Sequence, residues 1–194
     1  MTNLLEELKD YAKENHVPII LDDGLEFLLK VIKEKNPKSI LEIGCAIGYS
    51  SINMALNTNA SITTIERDSK MYEEAIKNID KANLNDRIRV IFKDALEVDE
   101  EIKDEKYDVI FIDAAKSQYI KFFEKYSKYL NDDGIILTDN MNFHGVTVET
   151  ATSRNLKALI RKLNNYHKFL EDNQEFESTV YNIGDGIAVS KRRK

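Results

Sequence analysis

Ser39-Ile-Leu-Glu-Ile-Gly-Cys-Ala-Ile-Gly-Tyr-Ser-Ser51 is the stretch that decides how this chain folds. Its first part, Ser39–Ile43, is short and mostly apolar, which predicts a buried strand. Gly44 and Gly48 then predict a turn, and Tyr49 begins a predicted helix. A strand that leads through a glycine turn into a helix brings backbone N–H groups close to a polar ligand. Glycine suits this turn because it has no Cβ to block the approach or to forbid a positive φ.

The spacing of this turn indicates which ligand it binds. The pattern is Glu-x-Gly-x-x-x-Gly, and Ala46 stands where a dinucleotide fingerprint has its second glycine, which argues against NAD or FAD. Glu42, at the end of the strand, would repel a phosphate and attract an ammonium or a sulfonium. S-adenosylmethionine carries both cations, so it is the predicted cofactor. A glycine turn used only for tight packing is the alternative.

Composition limits the possible classes of protein. A chain of 194 residues is long enough for one full domain. A net charge of -6 gives no global basic field for nucleic acid. Cys45 is the only cysteine, so neither an intrachain disulfide nor a cysteine zinc cluster can form. There is no signal peptide and no apolar run of membrane-spanning length, which predicts a soluble cytoplasmic protein.

The remaining pattern alternates short β-rich segments with helical ones, which indicates a parallel sheet with helices on both faces. The last two strands are joined by Gly184-Asp185-Gly186, a turn so short that it must join antiparallel neighbours. We therefore predict a Rossmann-like class I methyltransferase fold, with a mostly parallel seven-stranded sheet and a C-terminal antiparallel hairpin. The helices are predicted over Thr2–Asn15, Asp22–Lys35 (capped by Asp22 or Asp23), Tyr49–Leu56, Asp68–Ala82, the region of Tyr119–Tyr126, and Ser153–Leu170. The strands after the first are predicted over Ser61–Glu66, Ile88–Phe92, Tyr107–Ile112, Ile135–Thr138, Glu177–Ile183 and Gly186–Ser190.

Acidic residues stand at the carboxyl ends of the second and third strands, where open α/β sheets bind their ligands. Glu66 ends the second strand and suits a ribose diol, because a carboxylate accepts hydrogen bonds from both hydroxyls. A solvated strand terminus is the alternative. Asp94 follows the third strand and can accept from an adenine amino group or cap the next turn.

The fourth and fifth strands end in a candidate metal site. Asp113 follows the fourth strand, and Asp139 with Asn140 follows the fifth. Carboxylate and amide oxygens are hard ligands of the kind that Mg²⁺ prefers. Asp139 and Asn140 can both contribute only if the chain turns sharply between them. Caps for the following helices are the alternative, but Lys116 close by favours a site.

Several motifs together resemble the metal-dependent, catechol-type class I O-methyltransferases over nearly the whole chain. They are Leu41-Glu-Ile-Gly-x-x-x-Gly-Tyr-Ser50, Thr64-Ile-Glu66, Phe111-Ile-Asp-Ala-x-Lys-x-x-Tyr119 and Thr138-Asp-Asn140. Within that family the chain is most similar to the bacterial tRNA 5-hydroxyuridine methyltransferases, on Val17-Pro-Ile19, Ala46-Ile-Gly-Tyr-Ser50, Phe111-Ile-Asp-Ala-Ala-Lys-Ser-Gln-Tyr119 and Ile183-Gly-Asp-Gly-Ile-Ala-Val-Ser190.

The resemblance implies a role for each matching residue. Residues 1–194 form one methyltransferase domain, in which the helices of residues 1–36 cover the site, and a homodimer is expected. Asp113 and Lys116 are the implied catalytic residues, with Lys116 as general base. The implied cofactor-binding residues are Ile20, Glu42, Gly44, Ser50, Glu66, Asp94 and Asp113, and the implied metal ligands are Asp113, Asp139 and Asn140.

Methyl transfer from a sulfonium is an in-line displacement that needs an oxyanion held in line with the methyl group. A divalent cation lowers the pKa of the acceptor hydroxyl, and Lys116 near that cation should lose its proton more easily than a free lysine. The acceptor should present two adjacent oxygens. Catechols do so, and so does 5-hydroxyuracil through its 5-hydroxyl and 4-carbonyl, so the site motifs do not choose between them.

Basic residues near the C-terminus bear on that choice. Thr150–Leu170 contains no acidic residue and carries Arg154, Lys157 and Arg161 on one helical face, and Lys191-Arg-Arg-Lys194 follows. Such clusters are candidates for contact with tRNA phosphates near the anticodon, although basic helix faces often only face water. His144, on the short 141–152 segment, either contacts the substrate or has no role.

Three functions stay open on the sequence alone. The first is a tRNA wobble 5-hydroxyuridine O-methyltransferase, and the second is a catechol or caffeoyl-type small-molecule O-methyltransferase. The third is a non-catalytic RNA-binding protein on a methyltransferase scaffold, against which the retained site residues argue.

Overall fold

A computed structural model describes residues 2–142 and 146–194. Within these residues, seven strands form one sheet in the order β3-β2-β1-β4-β5-β7-β6. This order, with the C-terminal antiparallel hairpin, confirms the predicted class I methyltransferase architecture. The strands are β1 Ser39–Ile43, β2 Ser61–Glu66, β3 Ile88–Phe92, β4 Tyr107–Ile112, β5 Leu130–Thr138, β6 Phe176–Tyr181 and β7 Ile187–Arg192.

The pairing of the strands brings four carboxyl ends to one edge of the sheet. Strands β2, β1, β4 and β5 run parallel, and Ile43 lies level with Ile65 on one side and Ile112 on the other. Strand β7 is antiparallel to both β5 and β6, and Thr138 of β5 pairs with Ala188 near its start. The β6–β7 turn therefore lies at the same edge as the ends of β1 and β4.

Helices cover both faces of the sheet and bury two apolar cores. Along β1, Ile40 belongs to one core, and Leu41 and Ile43 belong to the other, as the two-residue period of a strand requires. The helices are α1 Thr2–Glu14, α2 Asp22–Lys35, α3 Tyr49–Asn57, α4 Ser69–Lys81, α5 Asp99–Ile102, α6 Tyr119–Tyr126 and α7 Arg154–Glu171. Among the described residues, the structure has no helix with the length and apolar character that a membrane crossing needs.

Several element boundaries differ from the prediction. Strand β5 begins at Leu130 rather than Ile135, because its polar first half still pairs Leu130 with Tyr107 of β4. Helix α2 has Leu21 at its N-cap position without a side-chain cap, so the predicted Asp cap is wrong. The short helix α5 was not predicted, and β6 and β7 each differ from the predicted bounds by one residue at the start and two at the end.

The turn after β1 depends on a very close backbone approach. Gly44 has a φ of +99°, and a Cβ there would lie 2.0 Å from the carbonyl oxygen of Asp113. Gly48 has a similar φ of +84°, but the nearest atom to its Cβ would be 3.6 Å away. A side chain at Gly48 would therefore introduce backbone strain alone, whereas one at Gly44 would also introduce a steric clash.

We expect Gly44→Ala to lower the free energy of unfolding well beyond the effect of Gly48→Ala. Both variants place a side chain at positive φ, which costs roughly 1–2 kcal/mol. Only Gly44→Ala must also move β4 away from β1, which adds about 1–3 kcal/mol as in an overpacked core. Urea denaturation of both variants measures the difference, and equal losses would contradict the close approach.

Candidate active site

One cavity of about 570 Å³ opens at the edge of the sheet where β1, β2, β4 and β5 end. The segment between α1 and α2 lies along it through Pro18, Ile19 and Ile20. The lining contains residues predicted for the cofactor and residues predicted for the acceptor, together with Leu159 and Asp185, for which the sequence predicted no role. We call Ile20, Gly44, Ser50, Glu66 and Asp94 the cofactor part, and Asp113, Lys116, Asn140, Leu159 and Asp185 the acceptor part.

Glu66 is fixed by backbone donors at the end of β2. Its Oε2 accepts a hydrogen bond from the Ala46 N–H at 2.8 Å, and its Oε1 accepts from the N–H groups of Arg67 and Asp68, each at 2.8 Å. An ionised carboxylate has about four acceptor positions, so capacity is left for a ribose hydroxyl. The structure thus places Glu66 in the cavity and also ties it to the glycine turn.

Glu42 is not among the residues that line the cavity, so its predicted contact with the methionyl group stays a prediction. Because side chains alternate along β1, Glu42 points to the same face as Ile40, beneath the N-terminus of α3. It is fully buried and accepts hydrogen bonds from the hydroxyls of Ser50 at 2.5 Å and Thr64 at 2.6 Å, and from Ser51. Glu42 therefore orients Ser50, which does line the cavity.

Asp94 caps the turn after β3 and also lines the cavity. Its carboxylate accepts from the Leu96 N–H at 2.9 Å, which caps the turn, and pairs with Arg67 at 3.2 Å. The hydrogen bond from Leu96 and the charge of Arg67 lower the pKa of Asp94, although partial burial opposes them. Arg67 also lines the cavity, but an arginine after a strand gives no sequence signal of such a role.

The structure brings Asp113, Asp139 and Asn140 together. Asn140 has a φ of 61°, the left-handed turn that is needed for consecutive residues to face one site. Its amide nitrogen donates to Asp113 Oδ1 at 3.1 Å and to Asp139 Oδ2 at 3.2 Å. The sheet holds the two aspartates in place, because their N–H groups donate to Ile43 and Ile112 carbonyls respectively.

The electrostatics of this cluster fit a hard divalent cation. Burial raises the pKa of both Asp113 and Asp139. The negative charges of other acidic groups raise both pKa values further. Asp139 is 2% exposed, and its Oδ1 is buried without a hydrogen-bond partner among the described residues. A cation would satisfy this oxygen and offset the repulsion. Rotation of the Asn140 amide would turn its oxygen toward the cation, since the two ends of an amide are assigned from their neighbours.

Lys116 stands next to the cluster, on a 3-10 turn that follows β4. Its Nζ lies 3.1 Å from Asn140 Oδ1 and 3.2 Å from the Asn140 carbonyl oxygen. Burial lowers the pKa of Lys116, while the charges of Asp185, Asp139 and Asp113 act in the opposite direction. The lowering expected from the sequence therefore arises here from burial. His144 lies outside the described residues.

The two basic clusters lie at different edges of the sheet. Arg154 and Arg161 are exposed on α7, the helix from which Leu159 reaches the cavity. The C-terminal cluster continues β7, whose Lys191 pairs with Ile135 at the edge away from the cavity. Of the two elements, only α7 borders the cavity, and it does so through Leu159; Arg154, Lys157 and Arg161 are not among the residues that line it.

The fold and the site define a class I methyltransferase, and comparisons with known proteins give its family. A family model described as O-methyltransferase matches residues 1–193. Tapetum-specific methyltransferase 1 of Arabidopsis thaliana is 31% identical over 201 residues, spanning 97% of this chain and 86% of that protein. A caffeoyl-CoA O-methyltransferase of Populus kitakamiensis is 29% identical over 193 residues, spanning 95% and 82% respectively.

Solved structures that resemble this fold are O-methyltransferases as well. A provisionally named caffeoyl-CoA O-methyltransferase from Staphylococcus aureus superposes with a TM-score of 0.93 at 38% identity, covering 97% of this chain and 92% of that one. An O-methyltransferase from Bacillus cereus in complex with SAH has a TM-score of 0.85 at 26% identity, covering 98% and 91%. The chain belongs to the catechol-type, S-adenosylmethionine-dependent O-methyltransferase family.

The buried Glu42 carboxyl should make stability depend on pH. Burial raises its pKa from 4.5 to about 7, although three hydroxyls donate to it. The folded protein therefore binds this proton more tightly than the unfolded chain, and stability is lost as the pH rises from about 4.5 through about 7.

We expect Glu42→Gln, which cannot ionise, to lack this loss. The free energy of unfolding of the unsubstituted protein should fall relative to Glu42→Gln, by on the order of 3 kcal/mol between about pH 5 and pH 8. Urea denaturation of both proteins across this range, without cofactor or metal, measures the difference. A difference that is independent of pH would refute the raised pKa.

Proposed function

We propose that this protein transfers the methyl group of S-adenosylmethionine to the 5-hydroxyl of 5-hydroxyuridine at the tRNA wobble position, which gives 5-methoxyuridine. The observation that carries this proposal is the exposed basic face of α7, a helix that also lines the cavity through Leu159. A catechol-sized acceptor does not need such a face, whereas an RNA backbone does. The cytoplasmic location and the homodimer stay predictions.

The cofactor half of the cavity suits the parts of S-adenosylmethionine in turn. The Gly44 turn and Ser50 would hold the methionyl group, with Ile20 above it, and Glu66 would accept from the ribose. Asp94, whose carboxylate is held by Arg67 and Leu96, would accept from the adenine amino group. The SAH complex of the Bacillus cereus relative supports this cofactor.

Asp113, Asp139 and Asn140 would hold Mg²⁺ or another divalent cation through oxygen ligands. When bound, the cation supplies positive charge that stabilises the developing oxyanion of the acceptor. The protein contributes a cluster that the sheet already holds together, with one Asp139 oxygen that has no partner among the described residues.

Lys116 would receive the proton of the acceptor hydroxyl. Its partial burial favours the neutral amine, which has a lone pair to accept that proton. The Asn140 backbone carbonyl, 3.2 Å from Lys116 Nζ, would hold the Lys116 amine in place when the amide oxygen faces the cation. Asp113 borders both halves of the cavity, because its carbonyl lies against the Gly44 turn. Acceptor and methyl donor are thus held next to each other.

The basic face of α7 would contact tRNA phosphates. Arg154 and Arg161 are exposed and Lys157 is half-buried on this face, and the first turn of α7 has no acidic residue. Phosphate contacts of this kind fix the position of the RNA without reading its sequence. The C-terminal cluster lies at the far edge, so it would contact a more distant part of the tRNA.

A small-molecule catechol is the second candidate acceptor, favoured by the caffeoyl-CoA O-methyltransferase among the relatives. The same oxygen cluster and lysine would act on a catechol ring. The α7 face would then bind the phosphates of a coenzyme A thioester. A non-catalytic RNA-binding role is disfavoured because the site residues converge in the structure.

A direct assay separates the two acceptors. With S-adenosylmethionine and Mg²⁺, the purified protein should methylate tRNA that contains 5-hydroxyuridine and should leave caffeoyl-CoA unmethylated. Mass spectrometry of the digested nucleosides measures the gain of 5-methoxyuridine. Methylation of caffeoyl-CoA alone would overturn the tRNA proposal in favour of the second candidate.

The metal ligands provide the control for this assay. Asp139→Asn removes one charge without a change of shape, and it should lower turnover by about 100-fold or more if the cluster stabilises the transition state. EDTA should have a comparable effect on the unsubstituted protein. Full activity in EDTA would refute the metal while leaving the methyltransferase assignment intact.

Charge reversal tests the RNA contact. Arg154→Glu combined with Arg161→Glu should weaken tRNA binding by about tenfold or more, since each lost phosphate contact weakens affinity and its salt dependence. Filter binding and SAH titration measure the affinities for tRNA and cofactor separately.

A matched variant makes the same change of charge at the far edge of the sheet. Lys191→Glu combined with Lys194→Glu should affect tRNA binding much less than the α7 pair. If both pairs weaken tRNA binding equally, the contact is not specific to α7, and the basic face of α7 no longer supports the proposal.

A further inference from the structure

The tip of the β6–β7 hairpin places one acidic side chain in the cavity that the proposed mechanism does not use. Asp185 lines the acceptor half together with Lys116 and Asn140. Its charge raises the pKa of both Lys116 and Asp139. The sequence indicated only a turn here, because Gly-Asp-Gly is a common hairpin connection.

The turn that carries Asp185 is held from two sides. On one side, the N–H groups of Met141 and Asn142 donate to the carbonyls of Gly186 at 2.9 Å and Asp185 at 2.8 Å. On the other side, the Asp23 carboxylate at the start of α2 accepts from the Gly184 N–H at 3.1 Å. The turn is therefore fixed directly to the chain that follows Asn140.

Close packing leaves this turn little freedom to move. A Cβ at Gly186 would lie 2.7 Å from the Asn142 side chain, and one at Gly184 would lie 3.2 Å from the backbone of Gly24. Both glycines have positive φ. The backbone that carries Asp185 is thus fixed, and its carboxylate presents a hydrogen-bond acceptor to the cavity.

An acceptor at this position increases the affinity for a substrate with a hydrogen-bond donor opposite it. It lowers the affinity for a substrate without one, because the acceptor loses its water and gains no partner. In 5-hydroxyuracil the 5-hydroxyl, the 4-carbonyl and the N3–H follow one another around the ring. When the two oxygens face the Asp113–Asp139–Asn140 cluster, the N3–H points to the side of that cluster. A catechol has a C–H at the corresponding position, and 5-hydroxycytosine has an N3 without hydrogen.

We propose that Asp185 accepts a hydrogen bond from the N3–H of 5-hydroxyuracil and so selects this ring over catechols and over 5-hydroxycytosine. This inference rests on the proposed function and assigns the residue that determines its specificity. Asp185 would act on the bound ring, in addition to its charge effect on Lys116.

The test compares two anticodon stem-loop oligonucleotides that differ only at N3 of the wobble base. One contains 5-hydroxyuridine and the other contains N3-methyl-5-hydroxyuridine. Fluorescence anisotropy with SAH and Mg²⁺ gives the affinity for each, and mass spectrometry gives the rate of methylation with S-adenosylmethionine. The unsubstituted protein should prefer the N3–H oligonucleotide by about tenfold or more in both measurements.

Two variants separate recognition from charge. Asp185→Ala should abolish the preference, so that both oligonucleotides bind with similar affinity, because no acceptor is left. Asp185→Asn keeps an acceptor without charge and should retain part of the preference. Titration with SAH checks that both variants still fold and bind cofactor.

The outcomes are distinct. Equal binding of the two oligonucleotides by the unsubstituted protein overturns the inference. Equal loss by Asp185→Ala on both oligonucleotides also overturns it, since that is the result expected if Asp185 acts only through Lys116. If the unsubstituted protein methylates neither oligonucleotide but methylates caffeoyl-CoA, the proposed function itself fails.

Discussion

The contact between the Gly44 backbone and the Asp113 carbonyl oxygen is the constraint on which the site depends. It joins the turn after β1 to the turn after β4, so the methionyl side and the acceptor side of the cavity are one rigid structure. Neighbouring parallel strands set this distance, and the absence of a side chain at residue 44 permits it. A catalyst that aligns two substrates gains most from such rigidity, because misplacement by one ångström is costly.

Several acidic side chains are buried at this same edge of the sheet. Burial of carboxylates lowers stability, so these residues are not explained by stability alone. Glu42, Asp113 and Asp139 all have raised pKa values, and burial is the largest cause for each. Glu42 is compensated by three hydroxyls, so its role is structural. The negative charges of Asp113 and Asp139 are only partly balanced by hydrogen bonds and by Lys116. Such incomplete balance is typical of a ligand-binding site.

Local patterns were enough to predict β1, β2, β3 and β4 to the residue, because each is a short apolar run between turns. The start of β5 was missed, since Asn131-Asp-Asp-Gly134 has the composition of a turn and only the pairing with β4 extends it. For the site, strand ends predicted which residues converge. The direction of Glu42, the pairing of Arg67 and the position of Asp185 depend on contacts distant in sequence. The acceptor could not be predicted from the site motifs, because a catechol and 5-hydroxyuracil present the same pair of oxygens.

Because β7, the last strand of the chain, lies between β5 and β6, the cavity is complete only when this strand has joined the sheet. Strands β1–β4 with α3 and α4 already contain the glycine turn, Ser50 and Glu66, which belong to the cofactor part of the cavity. The hairpin tip reaches the cavity only after the last strand has entered the sheet, a pairing between residues far apart in the chain and therefore slow to form. A folding intermediate without β7 would have the cofactor part of the cavity but not the complete site. The appearance of enzymatic activity during refolding would therefore report the pairing of β7 with β5.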